Sequence, residues 1–576
     1  MNRRLALRLA AGASAIPLLP RYLSAFAAAR PVDWSALSEE LGSRLIKIDS
    51  PLDACAKAHG AGADALFAMC KNPYYLGDEP ALTQTLGWTG AWTSRASDYA
   101  VVAESAADVA AAVDFARHNR VRIVVKGGGH SYFGNSNAAH SLLVWTRRMQ
   151  NVTLHDAFVP QGSPTGTAPH PAVSVGAGCI WGRIYDAVAV QGGRYVQGGG
   201  CMTVGVSGFI LGGGFGSFSK QFGTGAGGLL EAEVVTADGK VRVTNASQEP
   251  ELFFALRGGG GGTFGIVTRL TLRTHALPET LGAVQFEVKA KSDDDWRRLV
   301  ARMIAFYGEA LFNPQWGEQI RFTPDRTLAI AMTFHSLTQD EARSTWQPFL
   351  AWIGERPQAY TQKATPIIVA LPGRRFWDPA FLKRIPGVVI QDSRAGAAPE
   401  NVFWAGNLGE AGQVLHSYQS AWIPASLLDA SRQPLLVDAL LQGAAQWSMT
   451  LHTNKGLAGG SAEALSLSRG TSTNPQVLSA FALLICAADA PPAWPGIPGH
   501  EPDVDQGRRE AASVTRAMAP IRRLLPSAGA YVSEAYYFDD HWQQRYWGPN
   551  YERLLRAKRR YDPNGMFTGR NTVGSA

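Results

Sequence analysis

Two short stretches constrain this chain more than any other part of it. One reads Lys126-Gly127-Gly128-Gly129-His130-Ser131-Tyr132-Phe133-Gly134, the other Gly198-Gly199-Gly200-Cys201-Met202-Thr203-Val204-Gly205-Val206. Three consecutive glycines let the backbone approach a ligand closely and present N–H groups with no side chain in front of them. A nucleophilic side chain directly after such a turn lies where a bound cofactor would sit. Two turns, one ending in an imidazole and one in a thiol, point to a single cofactor gripped, and bonded, at two places.

The surroundings of the first turn read as a compact βαβ unit. Tyr99–Ala103 is strand-like, Ser105-x-x-Asp108 opens a helix through about His118, and Val121–Val125 is a second strand running straight into the glycines. Ala172–Val175 is another strand. A helix from about Ile180 to Val190 precedes the second turn. Asp238-Gly239 between two β-rich runs signals a hairpin, and a third glycine run, 258–262, leads into the strand-like Ile266–Leu272. After about Leu277 the glycine runs stop and tryptophan-containing helical and strand patterns take over. With 576 residues, more than one domain is expected.

Nucleic acid is not the expected partner. Residues 1–29 carry four arginines and no acid, and without them the formal charge falls from +7 to +3, spread over a long chain. That segment has a basic start, a short apolar middle and Ala25-Phe26-Ala27-Ala28-Ala29, the pattern of a secretory signal. Its adjacent arginines, Arg3 and Arg4, resemble a twin-arginine leader. Export to the periplasm or medium is the expectation, with no stable membrane insertion. Among five cysteines, Cys55 and Cys70 are the expected disulfide, closing a loop of about 15 residues for about 3 kcal/mol; two buried thiols are the alternative. There is no CxxC or HExxH, so no metal site is expected.

Two GxGxxG matches, at Gly223 and at Gly260, lead into β-rich sequence rather than a helix, which excludes a Rossmann site. No Walker A sequence is present. A pyrophosphate held by backbone N–H groups remains compatible with the glycine turns.

Taken together, the motifs resemble the berberine-bridge-enzyme-like group of the vanillyl-alcohol oxidase superfamily. The residues that carry this are Lys126–Gly134, then Gly199-Gly200-Cys201-x-Thr203-Val204-Gly205-x-x-Gly208, then Gly261-Gly262-x-x-Gly265-Ile266-Val267-Thr268. Tyr546-Trp547-Gly548-x-Asn550-Tyr551-x-Arg553-Leu554 through Tyr561-Asp562-Pro563-x-Gly565-x-Phe567 completes the set. The resemblance implies an α+β fold: a two-part, PCMH-type FAD-binding domain over 30–280 and a substrate domain with an antiparallel sheet over 281–525. A C-terminal segment, 526–576, would return to the FAD domain.

It also implies FAD bonded through His130 to the flavin 8α carbon and through Cys201 to C6. Lys126, Gly127, Gly128, Gly129, Ser131, Gly199, Gly200, Thr203, Gly205, Gly208, Gly265, Ile266, Val267 and Phe567 would complete the cofactor site. Val204 stands where valine accompanies oxidases, which implies O2 as acceptor and hydrogen peroxide as product. The implied substrate is a bulky alcohol, either a sugar or oligosaccharide or a secondary metabolite. A dehydrogenase with another acceptor and a flavin-binding protein without turnover are the alternatives. The chain departs from the group at its catalytic end, where Ser533 replaces the usual Asn of Tyr-x-Asn. Tyr531 is the first candidate for catalytic base, with Glu534 and Tyr536 as alternates. Lys455 is a candidate activating cation, or part of a surface loop.

Overall fold

The computed structural model describes residues 32–575; the expected leader at 1–29 lies outside them. The helix Ala106–Asn119 organises the first half. Ser105 and Asp108 form the expected capping box, satisfying two orphan donors of the first turn. Asp108 also takes the Arg44 guanidinium. One side of the helix meets a four-stranded sheet ordered Leu45–Lys47, Tyr99–Val102, Ser141–Trp145, Arg122–Lys126, the last three parallel. Its other side meets a second, antiparallel sheet. Val109 and Val113 thereby share one buried cluster with Val101, Leu142, Val235 and Ile266.

That second sheet runs Val241–Asn245, Leu229–Val235, Ile266–Ala276, His170–Gly176, Val152–Phe158. Its first hairpin turns at Asp238-Gly239, where Gly239 has φ +77° and no Cβ to strain the turn. The helix before the second glycine turn is Trp181–Tyr185, which widens into a π-helical stretch, Asp186–Gln191.

A ten-stranded, largely antiparallel sheet begins at Thr280–Ala290 and includes Trp316–Phe322, Thr327–His335, Gln413–Pro424, Met449–His452 and Ala480–Ala490. Apolar side chains from one of its faces bury against the helices Asp293–Phe306, Gln339–Gly354, Gln433–Ala444 and Val504–Leu524. The opposite face looks toward the glycine turns. Thr85–Trp88, from the N-terminal half, joins this sheet parallel to Gln413–Pro424.

The C-terminal helices Trp542–Trp547 and Tyr551–Tyr561 return to the first half of the chain. Trp547 donates its indole N–H to the Gly258 carbonyl at 2.9 Å. Lys558 donates to Thr263 O, and Arg553 pairs with Glu251.

The expected Cys55–Cys70 disulfide is not formed. Both are free thiols, packed as small apolar side chains in a cluster with Leu52, Phe67 and Trp494. Cys55 donates to the Ala61 carbonyl at 3.7 Å, and burial pushes the Cys70 thiol up to about 12. No helix among the described residues is long and apolar enough to cross a membrane.

Ser105→Ala removes one half of the capping box. It is expected to lower stability by about 1 kcal/mol in chemical denaturation; an unchanged midpoint would contradict this reading of the helix start.

Candidate active site

The two glycine turns meet back to back. A Cβ on Gly128 would lie 2.6 Å from Gly205 N, and a Cβ on Gly205 would lie 2.6 Å from Gly128 N. Only glycine on both sides permits this approach. The second turn is stitched down by Trp181 N–H to Val204 O and Gly182 N–H to Met202 O. His130 and Cys201 are thereby brought to the wall of one cavity of about 650 Å³, from turns 71 residues apart.

The sides of this cavity differ in chemistry. The first half of the chain supplies glycine-rich backbone: Gly127–Gly129, Gly199–Gly200, Gly205, Gly208, Gly260–Gly262 and Gly265–Val267. At Gly208 and Gly262 a Cβ would meet nothing within 4 Å, so backbone there faces open space. Among the described residues, the N–H groups of Gly128, Gly129, His130 and Ser131 find no backbone acceptor. This is a concave bed of free donors, suited to the phosphates and ring edge of a dinucleotide. The opposite side is built from the large sheet and the C-terminal segment. It carries Glu318, Tyr418, His452, Asn454, Lys455, Tyr531 and Glu534, with Trp404 from the short strand Val402–Trp404 and Glu410 from the 3-10 helix Ala405–Glu410 after it.

Burial lowers His130 to about 4, so at neutral pH its imidazole is uncharged and keeps a free lone pair. Burial raises the Cys201 thiol to about 11, with the Glu410 charge acting the same way and a Thr203 hydrogen bond opposing it. Thr203 lies behind the cavity wall. Its Oγ1 is 3.4 Å from His130 Nε2 and 3.5 Å from Cys201 Sγ.

Several expected site residues lie elsewhere. Lys126 is fully buried and turned away from the cavity, donating to the carbonyls of Glu79, Pro80 and Leu82 at 2.8–2.9 Å. Three acceptors match the three N–H bonds of an ammonium, so it braces the turn rather than touching a ligand. Phe567 packs in the core around Ala106–Asn119. Tyr536 is half-buried outside the cavity, and its carbonyl accepts from Tyr546 Oη. Ser131, Gly199, Gly200, Val204, Gly205, Gly208, Gly265, Ile266 and Val267 line the cavity as expected.

Tyr531 is present, but its expected activation is not. Its Oη accepts from Gly214 N–H at 3.3 Å, while burial and the Glu534 charge push its pKa well above 10. Lys455 is committed to both Glu534 oxygens and lies only over the Tyr531 ring, 6.0 Å from its centroid. The expected surface-loop alternative for Lys455 is ruled out by its burial.

Sequence reasoning missed Glu318. In the strand Trp316–Phe322, alternation places it on the core face with Trp316, Ile320 and Phe322. Its φ of +76° turns it to the other face. Thr453 holds that turn by donating both N–H and Oγ1–H to the Glu318 carbonyl. The carboxylate then accepts from Ser217 Oγ at 2.6 Å and Asn454 Nδ2 at 3.2 Å, and reaches within 3.8 Å of a Cβ position on Gly200. A glutamate at a core-parity position in Trp-Gly-Glu-Gln-Ile-Arg-Phe was the available signal.

This geometry suits a dinucleotide cofactor, and known proteins similar to the chain bind FAD. Residues 97–245 match the family described as FAD binding domain, and residues 502–574 match Berberine and berberine like. The FAD-linked oxidoreductase malF of Malbranchea aurantiaca is 28% identical, over 94% of this chain and 90% of that protein. The FAD-linked oxidoreductase easE of Arthroderma benhamiae is 30% identical, over 83% and 89%. Among solved structures, a VAO-type flavoprotein of Myceliophthora thermophila C1 superposes with a TM-score of 0.76 at 24% identity, covering 95% of this chain and 96% of that one. Glucooligosaccharide oxidase of Acremonium strictum gives 0.62 at 20% identity, over 83% and 92%. The chain belongs to the FAD-linked oxidoreductases, with an FAD binding domain and a berberine-like C-terminal segment. It is therefore an FAD-binding oxidoreductase with an α+β fold.

Gly205→Ala places a methyl against Gly128 N and forces the turns apart. The purified variant is expected to lose most of its bound FAD, read from flavin absorbance. Full retention would show that the close approach is dispensable.

Proposed function

We propose that the protein is an exported oxidase with FAD bonded through His130 and Cys201, oxidising a bulky alcohol and reducing O2 to hydrogen peroxide. The observation that carries this reading is the meeting of a neutral imidazole and a thiol on one cavity wall, opposite a polar substrate face. The Acremonium enzyme is described as carrying a 6-S-cysteinyl, 8α-N1-histidyl FAD, which supports the same pair of bonds here. The leader-like residues 1–29 support export. The sugar, oligosaccharide or secondary-metabolite substrate fits the cavity's aromatic walls, where Tyr132 and Tyr418 stand 5.0 Å apart and Phe376 and Trp404 6.1 Å apart.

FAD, when bound, accepts a hydride and passes its electrons to O2. The protein's own work is proton transfer and orientation. Glu318 is the proposed proton acceptor, in place of Tyr531. One of its oxygens is fixed by Ser217 and Asn454, and the Gln319 side chain also reaches the carboxylate. Burial, aided by the Glu534 charge, raises its pKa above the usual carboxylate value, which brings a carboxylate nearer the strength a base needs at neutral pH. Tyr531 then serves as a neutral hydroxyl that positions the substrate oxygen. The Lys455–Glu534 pair holds the C-terminal strap against the sheet. Val204, beside Cys201, flanks the path of O2.

Denatured protein is expected to retain flavin, and proteolysis to yield the His130 and Cys201 peptides joined through it. Release of all flavin on denaturation would refute both bonds. Turnover of a library alcohol should release peroxide in step with product; turnover only with an artificial acceptor would overturn the oxidase assignment.

Glu318 works deprotonated, so kcat/KM should rise with pH through its raised pKa. Glu318→Gln should lower kcat by about 10²–10⁴-fold and abolish that acidic limb. A variant that keeps the limb and loses the same activity would place the base elsewhere.

A further inference from the structure

Thr203 joins the two nucleophiles. Its hydroxyl stands between His130 Nε2 and Cys201 Sγ, at 3.4 and 3.5 Å, and the residue is 4% exposed. It is not among the residues that line the cavity. A hydroxyl carries one proton and accepts others, so such a chain has two directed states. In the first, Nε2–H donates to Oγ1 and Oγ1–H donates to sulfur. In the second, S–H donates to Oγ1 and Oγ1–H donates to Nε2.

We propose that Thr203 is a positioning residue for flavin attachment, relaying the Cys201 thiol proton to His130 Nε2 once His130 is bonded to the cofactor. The inference rests on the double attachment proposed above. Neutral His130 carries one proton. With it on Nε2, Nδ1 has its lone pair and is the nitrogen that bonds; the ring also hydrogen-bonds the Thr203 backbone. Bond formation at Nδ1 makes Nε2–H acidic, and its proton is one of the two that leave to dioxygen. Nε2 is then a lone-pair acceptor, and the hydroxyl chain reverses. The thiol, which burial makes reluctant to ionise, now has a base two hydrogen bonds away, and its thiolate is the form that bonds carbon. Attachment at His130 therefore prepares attachment at Cys201.

The balance is the same for both bonds. Each replaces one C–H of the flavin and one N–H or S–H of the protein. Two protons and two electrons leave per bond, and dioxygen takes them as hydrogen peroxide.

Thr203→Val keeps the shape and removes the hydroxyl. In the purified holoprotein, the expected digest contains flavin on the His130 peptide alone, with the cross-linked His130–Cys201 pair reduced at least tenfold. Thr203→Ser should restore the cross-link. Incubating the Thr203→Val protein in air near the pH at which the buried thiol ionises unaided should also restore it, an effect that a purely structural defect would not show. Total FAD and the thermal melt, measured on all three proteins and on Thr203→Ala, separate loss of the bond from loss of the fold. A Thr203→Val protein cross-linked as fully as the wild type overturns the relay alone. A wild type with no flavin on either peptide overturns the relay together with the double attachment beneath it.

Discussion

The contact between Gly128 and Gly205 is the constraint on which the site depends. Each backbone fills the space where the other's side chain would be. Everything chemical about the first half of the chain follows from that contact. It sets the separation of His130 and Cys201, puts Thr203 between them, and leaves a row of N–H groups facing outward. The parallel strand Arg122–Lys126 and the bridge between Ile180 and Gly205 bring the two turns to this point from different sheets. Lys126 holds the first turn from behind through three carbonyls, so a buried charge stiffens the loop that carries the imidazole.

The facing wall follows a different logic. Its charged groups mostly have protein partners: Lys455 is paired with Glu534, and Glu410 accepts from the Asn407 amide at 2.9 Å. Glu318 stands apart because its geometry comes from backbone, not from an ion pair. A left-handed residue inside a strand persists only where its neighbours fix it, and Thr453 does so at both its N–H and its hydroxyl. The result is a carboxylate with one oxygen fixed by Ser217 and Asn454 on the cavity wall. The polar face is thus specified by one unusual dihedral and by a threonine just past the end of the adjacent strand Met449–His452.

How far this could be read in the sequence depended on range. The capping box, the strand into the first glycine turn and the hairpin at Asp238-Gly239 are local, and the structure has them where they were expected. The cavity-lining glycines were legible as runs, and at Gly128 and Gly205 the close backbone contact itself demands glycine. Lys126 and Phe567 sit inside recognisable motifs yet serve packing, since a motif does not show which way a side chain points. Glu318 was invisible to alternation because it breaks alternation. The inertness of Tyr531 was equally hidden: it depends on Lys455, 76 positions away in the chain, being occupied by Glu534. Cys55 and Cys70 had a plausible loop length between them, but spacing says nothing about the apolar pocket that each thiol fills.

The strand Thr85–Trp88 has a consequence for how the molecule is made. With its antiparallel neighbour Trp92–Thr93, it lies in the sheet otherwise built from residue 280 onward, while the helices after 540 close the half built from residues before it. Each half borrows its last piece from the other. During synthesis the early half therefore waits for the final helices, and the late sheet takes its edge from chain that emerged hundreds of residues earlier. Such sequence-distant closure makes folding slow and nearly all-or-none. It also means that cutting the chain at the apparent domain junction would yield two incomplete bodies, not two modules.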